Sequence, residues 1–233
     1  MLIHSPLKRP SHAGADAPNQ TSLQSSLQSP LQAPLQTEFS AEVNGVIPWH
    51  YPQVKTPIHR LYELAKAGQW NAGTDVPWEQ DGETTLFPSS DEGNPLLGFA
   101  DYDRLPEAER RRLSWWQHRL EIAELLHGEQ AAMLIASQLV SSLPTVEAKL
   151  FASTQVADEA RHVEFFSRYL HESGGAIPAP SSALMTLIHD CVEEPRWDMK
   201  FIACQILIES LAMARFQELR QHPAVAGTRI EPR

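Results

Sequence analysis

Two long amphipathic stretches meet at Pro144, and together they restrict this chain to a helical fold. Residues 107–143 contain no proline and a single glycine, Gly128. Apolar residues recur there at steps of three and four, which is the spacing of one buried helical face. Residues 145–173 have the same pattern. We therefore predict one long helix, or two in tandem, before Pro144 and a second long helix after it.

Further helical segments are predicted on both sides of this pair. One covers about residues 57–68, one covers 182–193, and one begins at 196 or 197 and runs to 221, before Pro223. The last of these carries a stripe at helical spacing: Ile202, Ile206, Glu209, Met213 and Phe216. The predicted class is all-α.

Composition divides the chain into three regions. Residues 1–40 are rich in Ser, Pro and Gln and predict a disordered tail, because such a composition cannot bury a core. Residues 41–103 predict an irregular segment with one helix that packs on the bundle. Within it, residues 69–78 form a loop with a tryptophan at either side, which we interpret as a clasp on the bundle or as a lid over a pocket. Residues 104–233 predict the helical bundle.

Charge and cysteine content exclude several classes of protein. The net charge is −10, and no stripe of Lys and Arg follows a predicted helix, which argues against a nucleic-acid binder. The two cysteines, Cys191 and Cys204, form neither a disulfide framework nor a CxxC-like ligand set. No secretion signal or stretch of eighteen apolar residues is present, so we expect a cytoplasmic protein that does not span a membrane.

A carboxylate and an imidazole share one face of the helix after Pro144. Glu159 and His162 are three residues apart, so both side chains can reach one metal ion. Glu129 and Glu159 each lie fifteen residues from Pro144. In an antiparallel hairpin such residues face one another, here at about 22 Å from the turn by the helical rise per residue. The spacing therefore predicts a site between the two long helices.

Three acids lie in apolar stripes on three different helices: Glu129, Glu159 and Glu209. A buried carboxylate without a partner is costly, and a shared cation removes that cost. The alternative is that the acids are solvated or paired with bases and that His162 is an ordinary helix residue. Arg161, for example, can pair with Asp158 across one turn.

A complete site of twofold character requires a second E-x-x-H motif after Glu209. If the last hairpin turns between residues 223 and 229, equal spacing places that motif at about residues 237–249. The sequence ends at Arg233. We therefore expect an incomplete ligand set in this chain and a bundle that lacks its last ligand-bearing helix.

The segments His127-Gly128-Glu129-Gln130 and Asp158-Glu159-Ala160-Arg161-His162, together with Glu209, resemble the ferritin-like di-iron carboxylate superfamily. The resemblance covers about residues 105–222 and is closest to ribonucleotide reductase small subunits and bacterial di-iron oxygenases. It implies a ferritin-like helical bundle with two iron ions, or a manganese and iron pair. It also implies that Glu129 is a terminal ligand, Glu159 a bridging ligand, His162 a nitrogen ligand and Glu209 a ligand to the second metal.

Two positions narrow the activity that the resemblance implies. Phe166 stands where reductase subunits commonly carry a radical-forming tyrosine, four residues after the histidine ligand. Ala212 and Met213 stand where many hydroxylases carry a threonine. We expect an O2-activating oxidoreductase of the monooxygenase type that acts on a small molecule, with substrate and electron donor unidentified. The alternative is a non-enzymatic bundle remnant or helper subunit that associates with another chain or with itself.

Overall fold

A computed structural model describes residues 45–51, 56–76, 78 and 94–221 of the chain. The predicted tail, residues 1–40, lies outside the described residues. Every regular element in the described part is helical, which confirms the all-α class. In chain order the elements are α1 Pro57–Ala67, α2 Ala100–Asp103, α3 Glu107–Ser142, α4 Val146–Glu172, α5 Ser182–Glu193, α6 Trp197–Phe201, a π-helical segment Ile202–Ile208, and α7 Glu209–Gln221.

Helices α3 and α4 form the antiparallel hairpin that Pro144 predicts. Helix α3 is one continuous helix of 36 residues, so the alternative of two helices in tandem is wrong. Gly128 lies inside it and weakens it by about 1 kcal/mol relative to alanine without breaking it. Thr145 caps the next helix, because its hydroxyl accepts a hydrogen bond from the Ala148 amide. The turn is therefore defined by proline and a cap.

The core follows α3 as three apolar clusters. One lies between α3 and α4 and consists of Ile122, Ala123, Leu126, Phe166 and Leu170. A second lies nearer the turn and consists of Leu139, Leu143 and Ala152. A third joins α3 to α5 and the π-helical segment through Ile135, Cys191, Val192 and Cys204. The acids predicted as ligands on α3 and α4 lie between the first two clusters along the hairpin.

Arg119 ties the far end of the hairpin to the segment that follows α4. Its side chain is only 1% exposed. The guanidinium donates to the carbonyl oxygens of Leu170 at 3.1 Å and Ala176 at 2.9 Å, and to the Ser173 hydroxyl. A buried guanidinium is tolerated only where such acceptors surround it. These bonds fix the direction in which the chain leaves α4.

The N-terminal part contains the predicted helix and one short helix that the sequence does not predict. Helix α1 begins after Thr56, whose hydroxyl accepts from the His59 amide, and it packs against α4. Helix α2 covers only Ala100–Asp103. The segment before α1 reaches the end of α3, where the Val46 amide donates to the Ser141 carbonyl at 2.8 Å.

The helix predicted from residue 196 or 197 to 221 runs without a break from Trp197 to Gln221, but Ile202–Ile208 within it is π-helical and divides it into α6 and α7. Its apolar stripe is also exposed rather than buried, since Ile202, Ile206 and Met213 are 43%, 48% and 50% exposed. Cys204 is the buried residue of the π-helical segment. Hydrogen bonding from i to i+5 changes the number of residues in each turn, so counting by three and four does not locate the buried side chain of this segment. The predicted stripe is therefore wrong as a buried face.

Among the described residues, no helix combines the length and the apolar character that crossing a bilayer requires.

Candidate metal centre

One imidazole lies between two carboxylates at the interface of α3 and α4. Nδ1 of His162 is 3.0 Å from Oε2 of Glu129 and 3.1 Å from Oε2 of Glu159. One ligand atom from each of the three residues lies within 4.8 Å of the other two. The three predicted residues on α3 and α4 are therefore brought together, and we call them the acidic triad.

Helix geometry alone produces this arrangement. Glu159 and His162 project from the same face of α4, one turn apart. Glu129 projects from α3 at the same height, because it lies as far before Pro144 as Glu159 lies after it. The predicted facing of the two acids across the hairpin is thus observed in the side-chain contacts.

Both acids of the triad are buried, at 8% exposure for Glu129 and 4% for Glu159. Burial raises the pKa of Glu159, since a buried anion loses its hydration; His162 lowers that pKa and Glu129 raises it. Burial alone would lower the pKa of His162, but its hydrogen bonds to Glu129 and Glu159 prevail and raise it. The triad therefore attracts positive charge, which a proton on the imidazole or a metal ion can supply.

Glu209 does not join the acidic triad. It begins α7, directly after the π-helical segment, and it is only partly buried. The pKa of its carboxyl is raised, first by burial and then by the negative charge of Glu159, which places it within electrostatic range of the triad. Its oxygens are nevertheless outside the group of ligand atoms that lie within 4.8 Å of one another.

Two tryptophans of the predicted loop, Trp70 and Trp78, pack on the side of α4 that carries His162 and Phe165. The ring of Trp70 lies 6.3 Å from the imidazole of His162 and 6.5 Å from the ring of Phe165. Trp78 lies 5.3 Å from the same phenylalanine. Two tryptophans on one helix are what a clasp requires. Trp70 therefore lies beside the imidazole, while the His162 side chain is 34% exposed.

Arg161 connects this loop to the helix that carries the triad. Its guanidinium donates to the side-chain oxygen of Gln69 at 2.5 Å, forms an ion pair with Asp158, and lies 5.9 Å from the ring of Trp70. The pairing with Asp158 is the one expected from the spacing. Sequence reasoning did not link Trp70 and Arg161 to the site, because the two residues are far apart in the chain; the aromatic residues of the loop were the only signal.

The π-helical segment is the second feature of the site that sequence reasoning missed. It ends at Ile208, immediately before Glu209. Isolated π-helical turns occur frequently at functional sites, because the extra residue changes the direction of the side chains that follow. No pattern in the apolar run Ile202–Ile208 distinguishes it from an ordinary helix.

Comparison with known proteins agrees with this geometry. A family model described as p-aminobenzoate N-oxygenase AurF matches residues 51–204. This range is more than half of the chain and includes Glu129, Glu159 and His162, while Glu209 lies just beyond it. No curated protein and no solved structure matches the chain. The chain belongs to the AurF family of di-iron oxygenases, within the ferritin-like superfamily.

Proposed function

We propose that Glu129, Glu159 and His162 bind iron and that the protein uses O2 to oxidise a small molecule. The observation that carries this proposal is the acidic triad, in which two buried carboxylates and one imidazole place their ligand atoms within 4.8 Å. The chain belongs to a family of di-iron oxygenases, so iron is the metal expected at this cluster. Without a metal ion, a proton on His162 is the cation that the triad itself supplies to offset the two buried acids.

The donor set fits iron. Carboxylate oxygens and an imidazole nitrogen are ligands that iron and manganese accept, whereas sites for copper(I) are richer in sulfur. Cys191 and Cys204 pack in a separate core cluster with Ile135 and Val192. A manganese and iron pair uses the same ligands as two iron ions, so a metal analysis includes both elements.

When bound, a pair of iron ions supplies the electrons that reduce O2 and allow an oxygen atom to pass to the substrate. Glu129 and Glu159 offset the charge of the cations, and His162 limits the negative charge that two acids alone would impose. Trp70 lies beside the imidazole and packs against Phe165 on the loop side. We propose Glu209 as a further ligand, supported by its position in electrostatic range of Glu159.

We propose a small aromatic amine as the substrate class. The support is the family description, which is that of an enzyme that oxygenates the nitrogen of p-aminobenzoate. The first substrate to assay is therefore p-aminobenzoate itself, followed by aromatic amines without the carboxylate. Product analysis for hydroxylamine and nitro compounds distinguishes N-oxygenation from ring hydroxylation.

Metal analysis tests the proposed site. The full chain, freed of metal with chelator and reconstituted with ferrous iron and manganese under anaerobic conditions, should retain iron after desalting. Glu159→Ala should retain only trace metal. Glu164→Ala is the matched control, because Glu164 lies on the same helix but is exposed. Trace metal in the unchanged protein, or equal retention by Glu159→Ala, would remove the metal-site proposal.

A second candidate function is that of a helper subunit that docks on another chain. The observation that favours it is the apolar surface of the last helices, where Leu207 and Leu211 are 59% and 70% exposed. Exposed apolar patches of this kind often mark association sites. Light scattering gives the oligomeric state, and it is read together with the metal analysis and the activity assay. A monomer that binds iron and turns over substrate contradicts the helper function. An oligomer without metal supports it.

A further inference from the structure

A tyrosine and a histidine join α3 to α4 beyond the acidic triad, on the side away from the turn. The hydroxyl oxygen of Tyr169 is 2.8 Å from Nε2 of His118. The two rings meet edge to face, with centroids 5.8 Å apart. Both side chains are partly buried. A direct hydrogen bond therefore joins a phenol on α4 to an imidazole on α3 across the hairpin.

The pair lies on the same helical faces as the triad. Tyr169 follows His162 by seven residues, which is two turns of α4 and about 10 Å along the helix. His118 precedes Glu129 by eleven residues, or three turns of α3. Tyr169 packs against the apolar cluster that contains Ile122, Leu126 and Phe166. These residues stand between the pair and the triad along the two helices, so the separation is apolar and short enough for a single electron-transfer step.

In its resting state, before any electron is removed, Tyr169 keeps its phenol proton. Burial raises the pKa of Tyr169 to about 12, although the charge of Arg119 lowers it. The protonated phenol donates to Nε2 of His118 in the tautomer that carries the imidazole hydrogen on Nδ1. Loss of an electron makes a phenol strongly acidic, and Nε2 of His118 is then positioned to take the proton without movement of either residue.

We propose that Tyr169 is a redox-active tyrosine. Its ring loses one electron to a one-electron oxidant while its hydroxyl proton moves to Nε2 of His118, leaving a neutral tyrosyl radical and an imidazolium. Return of one electron and of that proton restores the phenol. The buried indole of Trp115 is stacked beside the His118 ring, with centroids 6.2 Å apart, and the Arg119 guanidinium lies 5.7 Å from the same indole.

A second buried tyrosine lacks this arrangement and serves as the comparison. The hydroxyl of Tyr102 contacts the Ser114 hydroxyl at 3.1 Å and the Arg110 carbonyl oxygen at 3.4 Å. Neither group takes up a proton at neutral pH. Tyr102 is buried in the core, but its hydroxyl bonds to no base among the described residues. Burial alone therefore does not make a tyrosine redox-active in the way proposed for Tyr169.

In the protein, the pair would carry an oxidising equivalent away from the triad when no substrate is present, and would thereby protect the ligands. This use rests on the proposed oxygenase function. The redox property of the pair does not, and it can be measured in metal-free protein with a photogenerated ruthenium(III) polypyridyl oxidant.

The experiment uses the full chain with Tyr51→Phe and Tyr62→Phe. Of the four tyrosines in the sequence, Tyr102 and Tyr169 then remain. After the laser flash we expect a tyrosyl radical by electron paramagnetic resonance and transient absorption, with slower formation in D2O. The radical should persist in Tyr102→Phe and disappear in Tyr169→Phe.

His118→Gln separates proton transfer from hydrogen bonding. Glutamine keeps an acceptor for the phenol but is not a base, so radical formation should slow on the order of 100-fold, the lower range for a positioned proton acceptor. Helical circular dichroism checks that each variant is folded. A radical that survives Tyr169→Phe, or an unchanged rate in His118→Gln, would overturn the proposal. Equal rates in H2O and D2O would also overturn it, without any substitution at the pair.

Discussion

Replacing Glu159 by glutamine should stabilise the metal-free protein at alkaline pH while it abolishes metal binding. The raised pKa of Glu159 means that the folded state holds a proton that the unfolded state releases between the two pKa values. Stability conferred by that proton is fully present below the unfolded value of 4.5 and is lost as the pH rises through about 7. Glutamine cannot ionise, so the variant avoids the loss.

The size of the effect follows from the two pKa values. The shift from 4.5 to about 7 corresponds to roughly 3 kcal/mol at pH 8, at 1.36 kcal/mol for each pKa unit. This figure is a ceiling, because His162 also loses one of its two carboxylate partners in the variant. We expect the free energy of unfolding of Glu159→Gln to exceed that of the unchanged protein by about 1–3 kcal/mol at pH 8, and by much less at pH 5.

The assay is urea unfolding of chelator-treated protein at both pH values, followed by circular dichroism. Glu164→Gln, an exposed position on the same helix, should change stability by less than about 0.5 kcal/mol at either pH. Ferrous iron in excess should then stabilise the unchanged protein but not Glu159→Gln. Destabilisation of Glu159→Gln at pH 8, or an equal gain at pH 5, would refute the account of the triad as a buried acid pair in need of a cation.

Three further changes have expected outcomes. Iron binding at pH 7 should release about one proton from His162, whose pKa is raised to about 10, and part of one from Glu159, whose pKa is raised to about 7; titration calorimetry in two buffers of different ionisation enthalpy measures the total, and His162→Ala should release less than the unchanged protein. Arg119→Met should lower the free energy of unfolding, measured with urea, by about 2–4 kcal/mol, because three acceptors lose their donor; a decrease of less than about 1 kcal/mol contradicts this. Gly128→Ala should raise the free energy of unfolding by about 1 kcal/mol, because alanine favours the helix and nothing lies within 4 Å of the new Cβ. A lower melting temperature contradicts this.

Features that depend on neighbours in sequence were predictable. The helix at Ser182–Glu193, the hairpin at Pro144 and the meeting of Glu129 with Glu159 and His162 all follow from the geometry of a regular helix. That geometry repeats every 3.6 residues, so counting from the turn locates a side chain thirty residues away. The same counting failed after residue 201, where the π-helical segment interrupts the repeat.

Periodicity, capping residues and the spacing of acids from Pro144 were enough to identify an all-α hairpin and the three residues of the triad. Tertiary structure decided which surfaces are buried and which distant residues meet. It placed Trp70 beside His162, bonded Gln69 to an arginine 92 residues away, and left Ile206 exposed. The physical reason is range: helical periodicity is a local property of the backbone, whereas burial and long-range contacts arise only when separate segments pack together.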